Sequence, residues 1–225
     1  MVSRSDSELV ALANQLLTGG KGPYKDPRYF DDTFYDVDWM TKGKGDLVIQ
    51  NEILENMLLP LKGQKPETLL MVGVHGIGKS FFARKAAGVA QKVYEGGGKI
   101  LEVVYVDCKT YTTHYDIMVY LHKKLGVGHE WNPKTVVEGL EGRVREGSYF
   151  LIILDDVNCV RVGGKHKDKT IDNVLADLYG VNVGGGALTI CAVTNDIHFE
   201  SRLSSLNSST STRTDSTITS LAMPA

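Results

Sequence analysis

The run Gly73-Val74-His75-Gly76-Ile77-Gly78-Lys79-Ser80 lies between two very different patterns. Before it, Thr68 to Val74 is a continuous apolar stretch of strand length. After it, Phe82, Ala86, Val89 and Val93 keep helical spacing until Gly96-Gly97-Gly98 breaks it. Strand, glycine-rich turn and helix in that order make a phosphate-binding loop. The glycines Gly73, Gly76 and Gly78 let the backbone turn so that successive N–H groups face phosphate oxygens, aided by the N-terminus of the helix. The expected cradle runs from Gly73 through Val74, His75, Gly76, Ile77, Gly78, Lys79 and Ser80 to Phe81. Lys79 is expected to reach the β- and γ-phosphates as a point charge, and the Ser80 hydroxyl to ligate the magnesium bridging them.

Such a loop needs a sheet, and the remaining sequence supplies one. Apolar runs from Ile100 to Cys108, Tyr149 to Val157 and Ala187 to Thr194 read as further strands. Helical spacing marks Ile49, Ile53, Leu54, Met57 and Leu58, then Ile117 to Leu125, then Ile171 to Leu178. Thr135 with Glu138 has capping-box spacing and is expected to open another helix carrying Val137, Leu140 and Val144. Nearly all-apolar strands alternating with helices predict an α/β fold, a parallel sheet flanked by helices in an α/β/α sandwich. With 42% apolar side chains in 225 residues, the core is large enough. Ser5 with Glu8 and the leucines to Leu17 predict a short N-terminal helix, and Lys21 to Gly45 reads as an extended arm. Three segments result: an N-terminal helix and arm over 1–45, the core that carries the phosphate-binding loop over 46–206, and a Ser/Thr-rich tail over 207–225 that is a degenerate edge strand or disordered.

A net charge of −2 gives no globally basic field, so any nucleic-acid contact must be local. Cys108, Cys159 and Cys191 show no CxxC spacing and read as structural thiols in a reducing compartment. No apolar run approaches the ~20 residues that span a bilayer, and the N-terminus has no secretory signal, so a soluble intracellular protein without a membrane partner is expected.

Hydrolysing a nucleotide also requires a carboxylate at a neighbouring strand end. Phe150-Leu151-Ile152-Ile153-Leu154-Asp155-Asp156 offers Asp155 for magnesium and Asp156 as base or water-positioning group. Thr194-Asn195-Asp196 ends the fourth strand and sets Asn195 where an amide can sense the γ-phosphate or orient the attacking water.

These pieces, in this order, resemble the AAA+ ATPase core of Orc1/Cdc6-type replication initiators of archaeal kind. The resemblance rests on Leu59 to Pro66 before the first strand, Val104-Tyr105-Val106-Asp107-Cys108-Lys109-Thr110-Tyr111, the helix from Tyr115 to Gly126, and Val193-Thr194-Asn195-Asp196-Ile197-His198-Phe199, which is similar to the family's sensor 1 segment. It covers about Asp46 to Phe199. It implies an ATP/ADP-controlled, magnesium-dependent switch that marks replication origins and helps load the replicative helicase, with slow hydrolysis. Origin DNA and other initiator or helicase subunits are the implied partners. The location implied is cytoplasmic and nucleoid-associated if archaeal, nuclear if eukaryotic.

Three departures from the family follow. Its Walker B motif usually ends in Asp-Glu, whereas the second acid here is Asp156, one methylene shorter. Misplacing a reacting group by about 1 Å can cost two orders of magnitude in rate, so tight ATP binding with feeble turnover is expected. For the arginine finger, Arg202 in Arg202-Leu203-Ser204-Ser205-Leu206 is the nearest candidate, although ungapped placement from Phe199 sets Leu206 at that position. The chain also stops where the family continues into a helical lid and a winged helix, so a truncated or frame-disrupted gene is the expectation.

Arg161, Lys165, His166, Lys167 and Lys169 form a basic loop able to follow a DNA backbone, although Lys-rich loops are usual at surfaces. Two other readings stand beside the initiator: a P-loop ATPase of chaperone-like or signalling type without DNA binding, and a nucleotide-binding remnant without activity.

Overall fold

The computed structural model describes residues 53–76, 78–128, 132–160, 171–181 and 186–199, together with the backbone of 218–222. The expected N-terminal helix and arm, Ile77, the basic loop over 161–169 and Arg202 lie outside the described residues.

Five parallel strands form one sheet: β1 (Thr68–Val72), β2 (Leu101–Asp107), β3 (Tyr149–Asp155), β4 (Leu188–Thr194) and β5 (Ile218–Ala222), in the order β2-β3-β4-β1-β5. Packed on it, among the described residues, are α1 (Lys79–Gly96), α2 (His114–Leu125), α3 (Pro133–Arg145), α4 (Ile171–Gly180) and a helical segment over 53–58. Alternation along the strands separates two cores. On one face Leu69, Met71, Leu151, Ile153, Cys191 and Val193 meet Phe82, Ala86 and Val93 of α1, with Ile53 and Met57 from the helical segment 53–58. On the other, Leu70, Val104, Val106, Ile152, Leu154 and Ile190 meet Ile117 and Leu121 of α2, Leu140 of α3, and Val174 and Leu178 of α4. Both faces are covered, so both sets of alternate residues are apolar, as the unbroken runs require.

Two strands end two residues earlier than the sequence suggests. β1 stops at Val72 rather than Val74, where the glycine loop takes over, and β3 stops at Asp155 because Asp156 turns into the left-handed region. The start of α3 needs correction. Thr135 lies inside the helix, and the cap is Asn132, whose side chain accepts from the Lys134 N–H at 3.1 Å. Pro133 explains the shift: it fixes φ at a helical value and lacks the N–H that a first helical residue leaves unpaired. At the other end of α2, Gly126 closes the helix at φ 63° as its position predicts.

β5 falls in the Ser/Thr-rich stretch and runs beside β1, from Thr68 opposite Ile218 to Val72 opposite Ala222. β1 is thereby an interior strand, flanked by β4 and β5. In parallel sheets of this kind ligands bind beyond the carboxyl ends of the strands, which is where the loop after β1 lies.

Candidate nucleotide-binding site

The loop after β1 owes its path to Gly76 and Gly78, at φ 84° and 92°, a region that side chains with a Cβ rarely adopt. Gly78 also stands at the N-cap of α1 and offers no capping side chain. Val74 and His75 are exposed on the loop, and Phe81 is half-buried as the third residue of the helix. Lys79 opens α1 and is only 4% exposed. Its ammonium donates to Gly73 O at 2.9 Å, Val74 O at 2.8 Å and Asn195 Oδ1 at 2.6 Å. Burial pushes its ionisation below the usual lysine range, and the nearby Asp156 and Asp155 oppose that shift.

Asp155, at the end of β3, has the same strand parity as Leu151 and Ile153, so it faces α1. Both of its oxygens are engaged there. Ser80 Oγ donates to Oδ1 at 2.8 Å, and the Tyr105 hydroxyl donates to Oδ2. The Arg84 guanidinium lies over the Tyr105 ring, 3.7 Å from its centroid. Burial, then the bond to Asp155, raises the Tyr105 ionisation, so the phenol remains a donor.

Asp156 is the only non-glycine residue with positive φ among the described residues, at φ 53° and ψ 46°. This conformation swings its carboxylate away from the line of β3. Oδ1 accepts from Asn195 Nδ2 at 2.8 Å, and Oδ2 pairs with Lys109 Nζ at 2.5 Å. Lys109 is 55% exposed, so solvent screens that pair. Asn195 thus accepts from Lys79 and donates to Asp156, joining the two halves of the site. The end of β4 is tied down as well: Thr194 Oγ1 donates to Asn158 Oδ1 and accepts from the Asp196 N–H, both at 3.1 Å.

Lys79, Ser80, Asp155, Asp156 and Asn195 therefore converge at the carboxyl ends of β1, β3 and β4. Sequence reasoning passed over Tyr105, Arg84 and Lys109. Arg84 did leave a signal, since it sits one helical turn after Ser80. The three cysteines are free; Cys108 and Cys191 are buried, and burial pushes each thiol up to about 12. Among the described residues no group of three or more His, Cys, Asp or Glu could hold a metal by itself, and no helix is long and apolar enough to cross a membrane.

No protein-family model matches the sequence. An ORC1-type DNA replication protein of Pyrococcus abyssi is 26% identical over 165 residues, covering 68% of this chain and 38% of that protein. One from Cenarchaeum symbiosum is 26% identical over 163 residues, covering 68% and 39%. Among solved structures, the Aeropyrum pernix ORC1 protein in complex with DNA superimposes with a TM-score of 0.62 at 19% identity, over 93% of this chain and 48% of that one. The Aeropyrum pernix ORC2 protein, in ADPNP–ADP complexes, does so with a TM-score of 0.64 at 17% identity, over 91% and 53%. The chain spans well under half the length of these curated relatives. Over about two thirds of its own length the chain is similar to archaeal ORC1-type DNA replication proteins, and its parallel sheet flanked by helices is the fold seen in the Aeropyrum pernix ORC1 and ORC2 structures.

Proposed function

We propose that this chain is the ATP-binding AAA+ module of a replication initiator, a nucleotide switch with slow turnover. One observation carries the proposal: the buried Lys79 ammonium and the Ser80–Asp155 pair meet at the strand ends beside an uncapped helix N-terminus. These groups fit a magnesium–nucleotide. The loop and the first turn of α1 offer N–H donors, Lys79 brings a desolvated positive charge, and Ser80 and Asp155 bring the few oxygens that magnesium takes from protein. Magnesium held there would neutralise charge on the β- and γ-phosphates.

Slow turnover follows from how the second carboxylate is held. Asp156 is shorter than the usual glutamate, and its two oxygens are committed to Asn195 and Lys109, so neither is open to a water. Asn195, which already touches Lys79, is suited to report the γ-phosphate to Asp156. Arg202 stays a candidate arginine finger on sequence grounds alone.

DNA and fellow initiator or helicase subunits are the proposed partners, supported by the ORC1-type relatives and by a fold neighbour solved with DNA. The cytoplasm, beside the nucleoid, is the proposed location in an archaeal cell. Calorimetry with ATP and magnesium tests the nucleotide reading, and it fails if wild type and Lys79→Ala bind alike. DNA binding measured with and without ATP tests the initiator reading. An affinity that ATP does not alter, and that alanine at Lys165, His166, Lys167 and Lys169 does not weaken, points instead to a P-loop ATPase without DNA.

A further inference from the structure

Tyr105 and Asp155 lie on adjacent parallel strands, where Tyr105 opposes Ile153 and Asp107 opposes Asp155. Equal parity turns both side chains toward α1, and the two-residue offset lets the longer tyrosine reach forward to the carboxylate. On α1, Ser80 and Arg84 are one turn apart on the same side. The result is a closed ring of contacts. Ser80 holds Asp155 Oδ1, the Tyr105 hydroxyl holds Oδ2, and Arg84 covers the Tyr105 ring.

A carboxylate gripped at one oxygen can still rotate about its Cβ–Cγ bond. Gripped at both, it presents one fixed set of lone pairs. Groups that orient a metal-associated residue in this way typically change metal affinity by 10–100-fold when removed. The stacked guanidinium restrains the ring, which aims the hydroxyl.

We infer that Tyr105, braced by Arg84, is a positioning residue that sets how Asp155 receives magnesium. The inference rests on the proposed role of Asp155. It concerns metal coupling, not nucleotide contact, because the Tyr105 hydroxyl is directed at the carboxylate.

The test is a magnesium chloride titration of the 225-residue chain with a fluorescent non-hydrolysable ATP analogue, recording affinity at saturating metal and in EDTA. Tyr105→Phe keeps the ring and its stack but removes the donor. It should raise the magnesium needed for half-maximal tight binding about tenfold, and leave EDTA affinity within about twofold. Arg84→Met should give a smaller shift in the same direction, and Arg84→Lys should restore most of it. A general packing defect would instead lower both affinities together, which overturns the inference. An unmoved magnesium midpoint in Tyr105→Phe also overturns it. Asp155→Asn separates the two readings: if it shifts the midpoint and Tyr105→Phe does not, only the positioning role falls, and if neither shifts it, the metal role of Asp155 falls too.

Discussion

The two halves of the site are built differently. On the Lys79 side, the ammonium is buried and bonded to two backbone carbonyls, while Asp155 is gripped from α1 and β2. On the Asp156 side, the backbone is in a left-handed conformation and one of the two partners is a mostly exposed lysine. Backbone anchors and burial make the first half rigid before any ligand arrives, and preorganised charge is what phosphate binding needs. The second half depends on side chains that solvent can loosen. On the proposed reading, nucleotide affinity and turnover rest on separate structural elements, so one can drift while the other holds.

Removing the anchor of the first half should have the largest effect. Lys79→Ala is expected to weaken ATP binding by at least about 30-fold, since it deletes a buried charge and leaves three acceptors without a donor. Calorimetry reads it directly, and near-normal affinity would mean that the two halves do not divide the labour this way. Lengthening the second acid comes next. Asp156→Glu is expected to raise the rate of ATP hydrolysis about tenfold or more while affinity holds, because the missing methylene leaves the carboxylate short of its water. A phosphate-release assay showing no gain would sink this account of slow turnover. Asn195→Ala should lower affinity and turnover together by about tenfold each, since a hydrogen bond to a charged group is worth about 1.5–3 kcal/mol and Asn195 makes one to each half. If only one quantity moves, the bridge works in one direction. Lys109→Ala should be mildest: a two- to threefold faster turnover, as one Asp156 oxygen is released toward a water, with less than about 1 kcal/mol lost in chemical unfolding. High salt should reproduce much of that change in the wild type, and the absence of a salt effect would discount the ion pair.

Local grammar made much of this readable. The cradle from Gly73 to Ser80 is a contiguous motif, and Asp155 and Asn195 each follow an apolar run that has to be a strand. The contacts of Tyr105 and Lys109 were hidden for a physical reason. Both depend on the register between β2 and β3, and spacing within either strand carries no information about it. The start of α3 was misjudged because Thr135 and Glu138 imitate a cap one turn too late, while Asn132-Pro133 holds the stronger signal. β5 is a similar case. Thr217 to Thr219 carries little to distinguish a strand from a loop, and the free edge of β1 supplies the backbone partners.

That last pairing bears on how the protein is made. β1, which launches the cradle, draws one neighbour from β4 and the other from β5, and both are synthesised long after it. While the ribosome is still translating, the apolar strand ahead of Gly73 stays an open edge, liable to stick to other chains. Its ladders can close only through contacts distant in sequence, which makes folding slow and late. The strand that launches the glycine loop is therefore written early in the chain and gains its neighbours late.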